Sequence, residues 1–155
     1  MIEQNQTRLA LKSQGNTKAC RVRTRRGHDF VTPVIHAGGL RYHATSKLIS
    51  ALYDRKEIEA VAFQQREVFE SGTLFCRAEG VLPAPESAHA VHAAVNEALR
   101  AKEAGTSPVI LFALSGHGYF DMAAYEAYMK GGLPDITVTD EQIEHSLSTL
   151  PVVGV

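Results

Sequence analysis

At 155 residues, 45% hydrophobic and 21% charged, the chain is long enough for one domain with a real core and too apolar to be disordered. No apolar run approaches the ~20 residues of a membrane-spanning helix, and the N-terminus lacks the apolar core of a secretory signal. Two cysteines, Cys20 and Cys76, are too few for a disulfide framework or a metal site, which fits a cytoplasmic protein.

The net charge of −1 conceals an asymmetry. Residues 1–26 hold seven basic side chains and one acid, Glu3, whereas the rest of the chain sets nine basic groups against sixteen acidic ones. A basic arm on an acidic body can bind nucleic acid or act as a targeting segment. Because the first 26 residues contain no aromatic and few aliphatic side chains, the arm reads instead as a solvated, disordered tail, with no nucleic-acid partner expected. The composition changes at Gly27, giving a boundary between an N-terminal segment 1–26 and a body 27–155.

In the body, residues 28–43 read as an ordered loop: Pro33 and the Gly38-Gly39 pair exclude a regular helix. Thr45 can cap a helix carrying Leu48, Ile49, Leu52 and Tyr53 at helical spacing. Residues 58–63 read as a short strand. A helix is expected over 65–79, with Gly80 placed to stop it. Val81 and Leu82 form a second short strand cut by Pro83 and Pro85. From 86 to 102 the spacing of Ala88, Val91, Ala94, Val95, Ala98 and Leu99 is that of an amphipathic helix ended by Gly105.

Residues 109–114 (VILFAL) are six apolar side chains in a row, the pattern of a parallel strand buried on both faces. Ser115 follows at its carboxyl end, where open α/β sheets bind ligands, and Gly116 and Gly118 allow close backbone approach. A further helix is expected over about 121–129, ended by Gly131-Gly132. A last one is capped near Thr139 or Asp140, with Ile143, Leu147 and Leu150 inward. Alternating strands and helices predict an α/β fold: a three-layer parallel sheet with helices on both faces.

Three constellations bear on chemistry. Glu86, His89 and His92 recur every three residues on one helix, a metal-ligand spacing seen in four-helix proteins. The α/β pattern and the lack of a second such pair argue for histidines that pack or hydrogen-bond, with no metal. Ser115 and His117 suggest a nucleophile and base, but the glycine two residues before the serine that a hydrolase elbow requires is absent. The Gly116-His-Gly118 turn could cradle a phosphate through backbone N–H groups, or simply be a tight strand-to-helix turn.

Four pieces, 36–43 (HAGGLRYH), 79–90 (EGVLPAPESAHA), 114–118 (LSGHG) and the FDM at 120–122, together resemble the C-terminal part of tryptophan synthase β chains, in the spelling of their second, divergent branch. The resemblance covers about residues 27–150 and is most specific over 79–118. It implies part of a fold-type-II pyridoxal-phosphate lyase of tryptophan biosynthesis, which joins L-serine to indole by β-replacement and is a homodimer when full-length. Ser115 then matches the serine that hydrogen-bonds the cofactor's pyridine nitrogen. A neutral hydroxyl leaves that nitrogen unprotonated and the electron sink weaker, which suits β-replacement over transamination.

By the same resemblance, Glu79 matches a glutamate near the cofactor ring and Gly116 the glycine that closes the turn on it. Gly38 and Gly39 match a loop near the substrate and a monovalent-cation site. Ala44 departs from the family's usual glycine. The Schiff-base lysine and the cofactor-phosphate loop belong to the family's N-terminal half, and none of the six lysines here sits in that context, so a chain lacking catalytic machinery is expected. Residues 1–26 resemble nothing in the family, which suggests a truncated or rearranged reading frame. The rival expectations are a non-enzymatic interaction module using the basic arm, or a small phosphate-ligand binding domain.

Overall fold

The computed structural model of the protein describes residues 11–13, 34–40, 46–136 and 139–148. Its elements, in chain order, are β1 (Leu11–Ser13), α1 (Lys47–Asp54), β2 (Ala60–Ala62), α2 (Gln65–Glu79), α3 (Pro85–Glu103), α4 (Met122–Met129) and α5 (Asp140–Ser148). Two 3-10 turns, Gly38–Leu40 and Gly118–Asp121, complete them. Of the basic arm only Leu11–Ser13 is described, and it pairs in parallel with β2, Leu11 opposite Ala60.

The centre of the molecule is the helical pair α2 and α3, joined by the five residues 80–84. At the start of α2 a capping box closes, the Gln64 N–H donating to Glu67 Oε1 at 2.6 Å, and the Asp135 carboxylate accepts from the Arg66 N–H at 3.1 Å. These bonds satisfy N–H groups that the first helical turn leaves without partners. Gly80 ends the helix in the left-handed conformation, φ 71°, its N–H returning to the Cys76 carbonyl. Pro85 opens α3 at a position where a missing N–H costs nothing.

The principal core joins Phe69 of α2 to Ala124 and Tyr125 of α4 and to Leu133, with Leu82 and Tyr128 against them. The Phe69 ring meets Tyr125 edge-on at 4.8 Å and stacks on Tyr128 at 5.9 Å, both favourable aromatic geometries. A smaller cluster of Ile35, Ala37 and Leu40, with Ile136, holds the loop before α1.

The helices predicted over 65–79 and 86–102 are thus present, and the strand expected at 58–63 is β2. The helix expected over about 121–129 is present as Met122–Met129, preceded by the 3-10 turn. Three expectations need correction. Ser46 caps α1, its Oγ accepting from the Ile49 N–H at 3.2 Å, while Thr45 lies outside the described residues. Residues 81–82 belong to the linker between α2 and α3 and form no strand with any described residue. Residues 109–114 have no ladder partner among the described residues, and Val109 and Leu111 are 98% and 95% exposed.

Without those strands, the described residues build helices around one parallel pair, not a three-layer sheet. A strand is defined by its neighbours, and an apolar run cannot supply its own. At α5 the expected cap is present: Thr139 Oγ1 accepts from the Gln142 N–H, and Gln142 Oε1 from the Thr139 N–H. The side chains of Ile143 and Leu147, and all of Leu150, lie outside the described residues. No described helix is long and apolar enough to cross a membrane.

Candidate functional site

The five residues 80–84 and the first turn of α3 form a hub on which the sequence-predicted site segments converge. Ser87, fully buried, holds the turn after the 109–114 segment from both sides. Its Oγ accepts from the Ser115 N–H at 3.0 Å and donates to the Ser115 carbonyl. One residue earlier, Glu86 Oε1 accepts from the Gly39 N–H at 2.7 Å, which brings the Gly38–Leu40 turn to the same helix start. The carboxylate also sits where the helix dipole favours negative charge.

Two glycines let the turn close. Gly116 has φ 74°, a conformation other residues adopt only under strain, and a Cβ there would lie 3.2 Å from Ala84 Cβ. Gly118 donates its N–H to the Leu82 carbonyl at 2.9 Å, and a Cβ there would stand 2.7 Å from the Pro83 carbonyl oxygen. Tyr125 Oη donates to that same Pro83 carbonyl at 2.7 Å, which ties the hub to the core. Burial first, then the neighbouring Asp121 and Cys76, pushes the Tyr125 hydroxyl well above the usual tyrosine range, so it stays a protonated donor.

Ser115 is exposed, and among the described residues only its backbone is hydrogen-bonded, so its hydroxyl is available to a ligand. Glu79 is the exposed last residue of α2, one position before Gly80 and the hub. Gly38 and Gly39 are exposed at the other side of the α3 start, reached through Glu86. His117 is not a base for Ser115: its Nδ1 accepts from the Tyr119 N–H at 3.1 Å and caps the 3-10 turn. Asp121 is held above the usual carboxylate range by partial burial first and then by the Glu86 carboxylate, while His36 pulls it down. Asp121 therefore lies within the electrostatic reach of both Glu86 and His36. Ala44 lies outside the described residues.

The Glu86, His89 and His92 face is spent on separate partners. Glu86 holds Gly39, and the buried His89 donates from Nδ1 to the Pro85 carbonyl at 2.8 Å. His92 bonds Ser71 Oγ through Nδ1 at 2.8 Å and accepts from Asn96 Nδ2 at Nε2. Its ring lies edge-on to Phe63 at 4.5 Å. Burial lowers the His92 pKa, against the opposing pull of Glu67 and Glu70. Neutral His92 thus donates from Nδ1 and accepts at Nε2, which matches both partners.

Sequence reasoning missed Ser87, the residue that fixes Ser115, and saw Glu86 only as a metal-ligand candidate. Their one signal was position: both follow Pro85 within the first turn of a helix.

No family model matches the chain. It is 59% identical over 109 residues to the tryptophan synthase beta chain 2 of Aquifex aeolicus, a match covering 70% of this chain and 25% of that one. It is 54% identical over 107 residues to the tryptophan synthase beta chain 2 of Methanosarcina mazei, covering 69% and 24%. Over 125 residues it is 46% identical to that of Pyrococcus furiosus, covering 81% and 28%. The likeness to tryptophan synthase β chains read from the sequence is borne out. The chain spans about a quarter of the length of the curated relatives it matches.

Proposed function

We propose that this homologue of one quarter of a tryptophan synthase β chain forms the wall facing the pyridine ring in a pyridoxal-phosphate-dependent lyase that makes L-tryptophan from L-serine and indole. The observation that carries the reading is the pinned Ser115 turn: its backbone is fixed by buried Ser87, its hydroxyl is exposed, and Gly116 keeps Cβ bulk away from it. The donor set fits a pyridine nitrogen, because a hydroxyl can donate to an unprotonated ring without imposing a charge. When bound, that cofactor supplies the electron sink for β-replacement.

Each residue then has a task. Ser115 orients the ring, Ser87 positions Ser115, and Gly116 admits the ring edge. Glu79 lies at the rim beside the same linker. The Gly38–Leu40 turn, held by Glu86, borders the L-serine and indole side. The three-layer sheet, the homodimer and a cytoplasmic location belong to this reading as properties of the complete enzyme, while the division at residue 27 separates the family-like body of this chain from a segment that resembles nothing in the family.

The 155-residue chain by itself is inactive under this reading. The four described lysines, Lys47, Lys56, Lys102 and Lys130, are all exposed, whereas a Schiff-base lysine is activated in a desolvated pocket. Purified chain mixed with pyridoxal phosphate is expected to show no visible band removable by borohydride, and no tryptophan from L-serine and indole. A band together with turnover would overturn the assigned inactivity. Conversely, a chimera in which the matching 109 residues of the Aquifex aeolicus chain are replaced by those of this protein is expected to form tryptophan.

A further inference from the structure

Glu86 and Ser87 are neighbours in the first turn of α3, and each holds a different segment. Glu86 Oε1 accepts from the Gly39 N–H at 2.7 Å, across 47 positions of sequence. Ser87 Oγ accepts from the Ser115 N–H at 3.0 Å, across 28. The Cα atoms of two such neighbours are about 3.8 Å apart, in a helix that does not hinge between them. While both bonds hold, the Gly38–Leu40 turn and the Ser115 turn keep one spacing.

The Glu86 contact is closely fitted. A Cβ at Gly39 would lie 3.0 Å from Glu86 Oε1 and 3.1 Å from its Cγ, whereas one at Gly38 would meet nothing within 4 Å. Space therefore demands glycine at 39 and not at 38. Behind the turn, Ile35, Ala37 and Leu40 are buried together, so the turn is set by this core on one side and by Glu86 on the other. Asp121, from the 3-10 turn after Ser115, lies within electrostatic reach of Glu86 and of His36, which brings a third segment to the same carboxylate. A charged acceptor makes the Gly39 bond one of the stronger kind.

We propose that Glu86 is a positioning residue for the L-serine side of the site: its carboxylate fixes the Gly38–Leu40 turn at a set distance from the Ser115 turn, and so governs binding of the amino acid rather than of the cofactor. The inference rests on the family reading above and adds which ligand Glu86 controls. Misplacing one wall of a site by about 1 Å can cost about 100-fold, so a bond remote from the reacting atoms can decide how well a substrate is held. Ser87 acts on the ring side and Glu86 on the substrate side, one residue apart on the same helix.

The test has two arms. In the 155-residue chain, Glu86→Ala is expected to speed amide hydrogen exchange at Gly39 at least about tenfold, while Glu86→Gln, whose amide oxygen can still accept, stays near the wild type. In the Aquifex aeolicus chimera, Glu86→Ala is expected to raise KM for L-serine about tenfold with the affinity for pyridoxal phosphate unchanged, and Glu86→Gln to restore most of the loss. Gly39→Ala, which crowds the carboxylate off the turn, should reproduce the KM of Glu86→Ala. Unchanged exchange at Gly39, or a KM that does not move, overturns the proposal. So does an equal weakening of serine and cofactor, which would make Glu86 a support of the whole site. A wild-type chimera that neither takes up cofactor nor forms tryptophan contradicts the family reading, and exchange at Gly39 then decides the Glu86 bond by itself.

Discussion

Ser87 and Ser115 are both serines in the same hydrogen-bonded turn, yet they should respond oppositely to substitution. Removing the Ser87 hydroxyl leaves the Ser115 N–H and carbonyl without their part-buried partner. Ser87→Ala is expected to cost about 1–3 kcal/mol in urea unfolding, the usual penalty for orphaned polar groups. Ser115→Ala removes an exposed hydroxyl without a described partner, and should change stability by less than about 0.5 kcal/mol. This contrast separates a positioning residue from a ligand-facing one before any cofactor is added. Ser115 was legible in the sequence because it ends an apolar run. Ser87 was not, because nothing in a primary structure says which serine a turn thirty residues away will meet.

His92 supplies a pH dependence whose sign is fixed. Its folded pKa is lowered from the ordinary 6.5, by burial first. The unfolded chain therefore takes up the proton more readily, and the contribution of neutral His92 is full above pH 6.5 and lost as pH falls through its folded pKa. Protonation also sets an Nε2–H against the Asn96 amide that donates to it. Between pH 6.5 and 5 the wild-type chain should lose stability more steeply than His92→Gln, followed by thermal unfolding at each pH. Equal slopes would show that His92 does not titrate differently in the two states.

Among the elements, the α2–α3 pair and its linker carry most of the structure. Phe69 is 1% exposed at the junction of α2 and α4, so Phe69→Ala should cost about 3–5 kcal/mol and unfold both contacts together. A loss confined to α4, seen as local exchange without global destabilisation, would mean the core is not one unit. These two helices were readable because their periodicity and the stop at Gly80 are local signals; Pro85, read as cutting a strand, in fact opens α3. The strands were not readable in the same way. Residues 109–114 have the composition of a sheet interior, but pairing depends on residues distant in sequence. The apolar run reads as a strand buried on both faces, yet Val109 and Leu111 are almost wholly exposed.

For the whole molecule, exposed apolar surface is the defining property. Val109, Leu111, Tyr119 and Phe120 are all more than two-thirds exposed, along one run from the unpaired segment to the 3-10 turn. Surfaces of this kind mark interfaces or cause aggregation. Leu111→Lys should raise the concentration at which the isolated chain scatters light and weaken its binding of a hydrophobic dye, with unfolding midpoint unchanged. No change in either readout would mean that this run is not the sticky surface.

The central claim is that Ser115 faces the pyridine ring of pyridoxal phosphate once the fold is completed. It is tested most directly by titrating that cofactor into the Aquifex aeolicus chimera and its Ser115→Ala variant. Loss of one hydrogen bond to the ring is expected to weaken binding about tenfold, with the chimera's unfolding midpoint unchanged. Equal affinity in the two proteins would contradict the account.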